Sequence, residues 1–405
     1  MRTLATILAA LSLVGSACGG NAGSIAVADA ETRRSVADAT NALGFDLVRE
    51  LSEEGGNTIV SPVSAAMLLG MLLVGARGAT EEAMADTLHV TPGEATNAAY
   101  GALLRELRQP GDVTLLAANS LWVVPEFELA PEFVDVASNA YNATAEEVDL
   151  GGQEAADRID AWVEEHTNGL IDQFADALGL PSANAVLVLL NAVYFKGTWT
   201  AQFDPDDTED GTFSTADGRS VTVPMMSLDD RFTYGERDDF AVLRLPYGDD
   251  ERFAMHVFLP HERDGLADLV ATLDADGWRH AIAGLEEHEV TVTMPRLDLQ
   301  FRADLEPTLV ALGMGPAFAD DSDFTGISGT NPELTVVAQE TRLIVDEVGT
   351  EAAAVTGGVV AVSAPPEFHM DRPFLFTISD SADETGVILF LGAVTDPTLE
   401  RTEVD

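Results

Sequence analysis

The 405-residue chain is poor in cysteine, in lysine and in positive charge. Its single cysteine, Cys18, excludes an internal disulfide and any zinc site built from cysteines. Lys196 is the only lysine, and 69 acidic residues stand against 21 basic ones, for a formal net charge of -48 at pH 7. Such a surface repels a phosphate backbone, so nucleic acid is excluded as a partner. Two origins account for the acidity. One is life at high salt, where a Debye length of about 3 Å at 1 M screens the self-repulsion. The other is a GC-rich genome that favours Asp and Arg codons. Long apolar runs are missing too, since no stretch after the first residues reaches the ~18 apolar residues needed to cross a bilayer. Catalytic signatures are equally scarce: there is no Gly-x-Ser-x-Gly elbow, phosphate loop, His-Glu-x-x-His or dinucleotide glycine fingerprint. No cofactor and no metal is expected. His256 and His261 are too isolated to name a metal site, and Glu286-Glu287-His288 reads as a solvated helix end.

What is present begins with an export signal. Arg2 supplies a positive start, Leu4 to Val14 an apolar run too short to span a membrane, and Gly15-Ser16-Ala17 a small-residue cleavage site. Residues 1–17 are therefore a signal peptide and 18–30 a tether, with Gly19, Gly20 and Gly23 making it flexible. The segment resembles a bacterial lipoprotein signal, which implies that Cys18 carries the lipid and anchors the chain to a membrane, in the periplasm or at the cell surface. Gly15 stands where that signal usually has leucine, so secretion after cleavage near Ala17 is the alternative.

An apolar content of 46% excludes disorder throughout, because runs such as Val186 to Phe195 and Val387 to Val394 must be buried. With no repeat and no low-complexity linker, residues 31–398 read as one large domain, followed by a short tail at 399–405. Val36, Ala39, Leu43, Leu47 and Leu51 recur at helical spacing; a second helix follows Ser61-Pro62, and a third covers Ala155 to Thr167. Ala254 to Leu259, Glu289 to Met294 and Leu334 to Val345 join the two apolar runs as strands. Helices first and strands later, without regular alternation, indicate an α+β fold.

The most unusual stretch follows Glu347. No charged residue appears between Glu351 and Glu367, yet the run is rich in alanine and valine, which seek burial. In strand alternation Thr350, Ala352, Ala354, Thr356, Gly358 and Val360 share one face, all small and uncharged. The run is built to enter a sheet. A plain buried strand with a hairpin is the simpler alternative.

These residues resemble the hinge and reactive-centre loop of a serpin, and the likeness runs from about Thr32 to Pro397. Asn57-Thr58-Ile59-Val60-Ser61-Pro62-Val63-Ser64, Asn119-Ser120-Leu121-Trp122 and Asn191-Ala192-Val193-Tyr194-Phe195-Lys196-Gly197-Thr198-Trp199 follow in the family's order. So do Val223-Pro224-Met225-Met226, Met294-Pro295-Arg296, Asp371-Arg372-Pro373-Phe374 and Phe390-Leu391-Gly392. The resemblance implies a single monomeric domain of about nine helices and three β-sheets, with a large central sheet able to accept the loop, residues 347–372, as an extra strand. It implies an inhibitor rather than an enzyme, whose loop is cut by a serine protease that is then trapped as its acyl-enzyme. The implied hinge is Glu347, Gly349, Thr350, Glu351, Ala352, Ala353 and Ala354. The implied shutter beneath the sheet is Ser61, Ser64 and Asn191, with Gln339 where many relatives carry histidine. At the top stand Trp199 and an ion pair of Arg296 with Glu347. Counting from either end of the loop leaves Val362-Ser363 and Ser363-Ala364 as candidate scissile bonds. Both present small neutral residues, so the implied target is an elastase-like or subtilisin-like protease; no Lys or Arg between Glu347 and Arg372 invites a trypsin-like one. A non-inhibitory serpin acting in binding or as a chaperone, an unrelated binding lipoprotein and a hydrolase are the alternatives.

Overall fold

The computed structural model describes residues 28–108, 113–125, 127–171, 173–334, 336–350, 366–381 and 386–404. Helix α1 (Ala30–Leu51) starts where the Asp29 carboxylate accepts from the Thr32 N–H at 2.8 Å, a side-chain N-cap. It buries Val36, Leu43, Leu47 and Leu51 along one stripe. Helix α2 (Pro62–Gly75) has Ser61 as its N-cap, the hydroxyl accepting from Ser64 N–H at 3.3 Å, and Pro62 in its first turn. It is apolar on nearly every side, which suits a helix enclosed by the core. The remaining helices are α3 (Gly78–Thr87), α4 (Glu94–Leu107), α5 (Pro131–Ala140), α6 (Gln153–His166), α7 (Leu266–Thr272), α8 (Ala275–Ala283), α9 (Glu306–Leu309) and α10 (Gly315–Phe318). The last two are joined through Val310–Met314, so they form one kinked helical stretch.

The strands are β1 (Thr58–Val60), β2 (Thr114–Val123), β3 (Ala143–Glu147), β4 (Leu187–Thr198), β5 (Glu209–Ser214), β6 (Ser220–Glu236), β7 (Phe240–Tyr247) and β8 (Phe253–Pro260). They continue with β9 (Glu286–Pro295), β10 (Leu297–Asp304), β11 (Ala338–Val345), β12 (Gly349–Thr350), β13 (Glu367–His369), β14 (Phe374–Asp380), β15 (Ile388–Val394) and β16 (Arg401–Val404). Nine of them form one sheet in the order β1-β15-β14-β8-β7-β6-β9-β13, with β5 on β6. Every residue of β8, β14 and β15 is buried, so these strands are covered on both faces; β15 is wholly apolar, while β8 buries His256 and β14 buries Thr377, Ser379 and Asp380. Helices α1 and α2 pack against β15. The other two ladders run β12-β4-β2-β3 and β11-β10-β16. The result is the α+β architecture that the residue pattern indicated, with the three sheets that the resemblance implied.

Three local expectations need correction. Glu286, Glu287 and His288 open strand β9 rather than end a helix; all three are exposed, so the solvent-facing part of that reading stands while the helical part does not. The strand expected from Leu334 starts only at Ala338. Helices α7 and α8 interrupt the strand-rich half of the chain, because Trp278 of α8 must cover the nine-stranded sheet, its Nε1–H donating to Thr377 Oγ1 at 3.1 Å.

Candidate functional site

The site is built where the chain leaves β11. Asp346 turns it: its carboxylate accepts from Val348 N–H at 3.0 Å and Gly349 N–H at 3.2 Å, and its own N–H donates to Gly349 O at 3.0 Å. The chain then runs antiparallel against the end of β4, with Gly349 opposite Thr198 and Thr350 opposite Gly197. Gly349 has φ +146°, and a Cβ there would stand 2.2 Å from Gly197 O and 2.6 Å from Thr198 Cα. Only glycine allows so close an approach with that backbone.

Trp199 closes the turn from the far side. Its N–H donates to Val348 O at 2.8 Å and its Nε1–H to Asp346 O at 3.0 Å, while its ring stacks on Tyr247 at 4.4 Å. The Phe203 N–H donates to Glu347 O at 2.8 Å. The Glu347 side chain is only 5% exposed, and its Oε1 accepts from Arg296 Nη2–H at 2.5 Å, Arg296 Nε–H at 2.7 Å and the Thr208 hydroxyl at 2.5 Å. Burial pushes the Glu347 carboxyl up, but the Arg296 and Thr208 bonds outweigh it and hold the group below its ordinary value. Arg296, just past β9, keeps 45% of its side chain exposed, so it works as a positional clamp rather than as a fully desolvated ion pair.

Below the turn, a cleft separates β4 from β11. Among the described residues no strand pairs with residues 187–196 of β4 on the side that carries β12. The cleft holds a cavity of about 30 Å³ lined by Ser61, Ser64, Asn191 and Gln339 together with Val163 of α6 and Ile171. Further toward the start of β4 a second cavity, about 60 Å³, is lined by Leu68, Leu72, Leu187, Leu189, Leu334 and Val336. Gln339 bonds the backbone of Ser61 twice: its Oε1 accepts from Ser61 N–H at 3.0 Å and its Nε2–H donates to Ser61 O at 3.1 Å. Two residues further along β11, the Thr341 hydroxyl donates to Ile59 O at 2.7 Å. A glutamine suits this place because a neutral amide offers both donor and acceptor at every pH.

The structure thus brings Ser61, Ser64, Gln339 and Asn191 round one cavity, and gathers Trp199, Arg296, Glu347, Gly349 and Thr350 at the top of β4. Asn191 makes no hydrogen bond to the two serines. Its Nδ2–H donates to Asn119 Oδ1 at 2.7 Å, and Asn119 Nδ2–H donates in turn to Tyr141 O at 2.5 Å. Asn191 Oδ1 is buried and has no partner among the described residues. Cys18, the hinge residues Glu351, Ala352, Ala353 and Ala354, and the scissile candidates Val362, Ser363 and Ala364 lie outside the described residues. Sequence reasoning missed Asn119, Thr208, Asp346 and Tyr247 as parts of the site. Only Asp346 had a local signal, an aspartate placed to accept from the N–H groups of a turn.

A split between the β12-β4-β2-β3 and β11-β10-β16 ladders, a hinge paired at its top and a polar cluster beneath define the site. The model of the family described as Serpin (serine protease inhibitor) matches residues 38–397, and the chain belongs to that family, whose members are in general protease inhibitors and not proteases. A serpin-like protein of Thermococcus kodakarensis is 36% identical over 374 residues, covering 89% of this chain and 86% of that one. The native structure of the thermophilic serpin tengpin superposes with a TM-score of 0.81 at 25% identity, covering 92% of this chain and 96% of that one. Human thyroxine-binding globulin in complex with its hormone gives a TM-score of 0.80 at 27% identity, covering 91% and 100%.

Proposed function

We propose that the protein inhibits serine proteases by suicide trapping. The protease serine attacks the carbonyl of Val362 or Ser363, the peptide bond to the next residue breaks and frees that residue's amine, and the acyl ester stays on the protease. The severed loop then enters the cleft as a strand before water can release the enzyme. The observation that carries this reading is the antiparallel pairing of Gly349–Thr350 with Gly197–Thr198 above an unpaired edge of β4. Ten further residues of β4, from Lys196 down to Leu187, remain for the loop to pair with. At roughly 1 kcal/mol per hydrogen bond the new ladder is worth ~10 kcal/mol, comparable to the ~5 to 15 kcal/mol that holds a whole domain together. At ~3.3 Å per residue the ladder would carry a tethered protease some 30 Å along the sheet.

The target is a protease with a small, neutral specificity pocket, elastase-like or subtilisin-like. The loop between Glu347 and Arg372 contains no Lys or Arg for a trypsin-like enzyme. The protein acts as a monomer outside the cytoplasm, held to a membrane through a lipid on Cys18 or, with cleavage near Ala17, secreted. The likeness to thyroxine-binding globulin favours one second reading, a serpin that carries a small ligand.

The test mixes the mature chain with a subtilisin-like and an elastase-like protease at low and high salt. A complex that survives SDS, with the cut mapped within 362–364, supports the trap. Cleavage with free protease and no gain in stability would remove it in favour of the carrier reading.

A further inference from the structure

Strand β10 is paired along its whole length on one side only. There all eight of its residues meet β11, from Leu297 opposite Val345 to Asp304 opposite Ala338. On the outer side it meets the tail of the chain, where β16 runs parallel to it with Gln300 opposite Arg401, Phe301 opposite Thr402, Arg302 opposite Glu403 and Ala303 opposite Val404. The Gln300 N–H donates to Glu400 O at 2.7 Å, so Gln300 turns its backbone groups outward, and at the strand period Asp298, Arg302 and Asp304 do the same.

A buried clasp delivers the tail to that edge. Asn57, 1% exposed, donates through Nδ2 to Asp396 O at 2.8 Å and Leu399 O at 3.1 Å, and its Oδ1 accepts from Asp396 N–H at 3.0 Å. Asp396 Oδ1 in turn accepts from Thr398 N–H at 2.9 Å. In β16 itself Thr402 and Val404 are half-buried, while Arg401 and Glu403 are exposed and pair with each other at 2.8 Å. A very short strand with charged residues on its exposed face is the form in which a sheet edge resists further pairing. The strand beneath it has the opposite character: β10 is twice as long and carries Leu297, Leu299, Phe301 and Ala303 in one row, each at most 2% exposed. Uncovered, its outer side is a line of free N–H and C=O groups that templates another strand.

Charge selects which strand that is. Laid antiparallel about a two-fold axis through Gln300, two copies of β10 put Asp298 of each opposite Arg302 of the other, with Leu299 opposite Phe301 between them. Arg302 would exchange its 3.6 Å contact with Glu403 of the tail for Asp298 of the second copy. We propose that the outer edge of β10 is a covered interface for a second copy of this chain, and that β16 is the guard that keeps the protein monomeric. This role is independent of the inhibitory reading.

The experiment uses the full mature chain and reads its weight-average mass by sedimentation equilibrium. Thr402→Pro combined with Val404→Asp removes a ladder donor and places a charge in a half-buried position, which detaches β16 without shortening the chain. The expected result is the monomer mass for the parent and a twofold mass for the double variant. Adding Gln300→Pro deletes the outward N–H of β10 and spares the β11 ladder, because that N–H faces away from β11; the mass returns to that of the monomer. Adding Asp298→Lys instead sets like charges opposite each other and has the same effect. A double variant that stays at the parent's mass overturns the assignment, as does a twofold mass that neither Gln300→Pro nor Asp298→Lys lowers.

Discussion

Gly349 offers the most direct test of the hinge. With φ at +146° and only 2.2 Å between an added Cβ and Gly197 O, Gly349→Ala cannot be absorbed by a rotamer change, since the obstacle is backbone. An L-residue forced into such a conformation costs about 1 to 3 kcal/mol before the clash is counted. The chain has a cheaper escape, which is to let the two residues of β12 leave β4. That gives up the two rungs at Thr198 and Gly197, at roughly 1 kcal/mol each. The loss in global stability is therefore capped at about 2 kcal/mol, while the local consequence is large: the hinge opens. Hydrogen exchange reads this at Trp199, whose N–H is held by Val348 O at 2.8 Å. The expected result is faster exchange at Trp199 with a drop of about 1 to 2 kcal/mol by urea unfolding. Unchanged protection at Trp199, or a global loss above about 4 kcal/mol, would refute the reasoning.

Three further outcomes follow from the same geometry. The Glu347 carboxyl titrates below its ordinary value near 4.5, so its contribution is full above that pH and is lost as pH falls through the lower folded value; Glu347→Gln should lower the melting temperature at pH 7, by an amount that shrinks as pH falls below 4.5. His256 on β8 is pushed down to about 3, first by burial and then by Arg244. The unfolded chain binds this proton near 6.5 and the folded one only near 3, so stability should fall between those values by up to about 1.4 kcal/mol per pH unit, and His256→Leu should flatten that slope. Gln339→Ala strips both hydrogen bonds from the buried Ser61 backbone and should cost about 1 to 3 kcal/mol in chemical unfolding, with a smaller loss for Gln339→His.

How far the residues themselves foretold the site depends on the range of the contacts involved. The start of α2 at Ser61-Pro62 is a local matter of one capping hydroxyl and one fixed φ, and the sequence shows it. The alternation of small residues after Glu347 is likewise visible in the sequence, although residues 351–365 lie outside the described ones. The resemblance supplied Arg296 and Glu347 as a pair, but not the Thr208 hydroxyl that shares the carboxylate, because Thr208 lies in an exposed acidic run with no pattern pointing at the hinge. Glu286-Glu287-His288 misled in the other direction, since three exposed polar residues carry no period and therefore no distinction between a helix end and a strand end.

By itself, then, the sequence determined what depends on neighbours a few residues apart: the helix starts, the apolar strands and a loop of small, uncharged residues. Tertiary structure alone decided that Asn191 bonds Asn119, 72 positions away, rather than the serines of α2, and that its Oδ1 is buried with no partner among the described residues. It also decided the register in which the hinge meets β4. Strand register is a property of two segments held together by everything packed around them, and no local pattern in either one contains it.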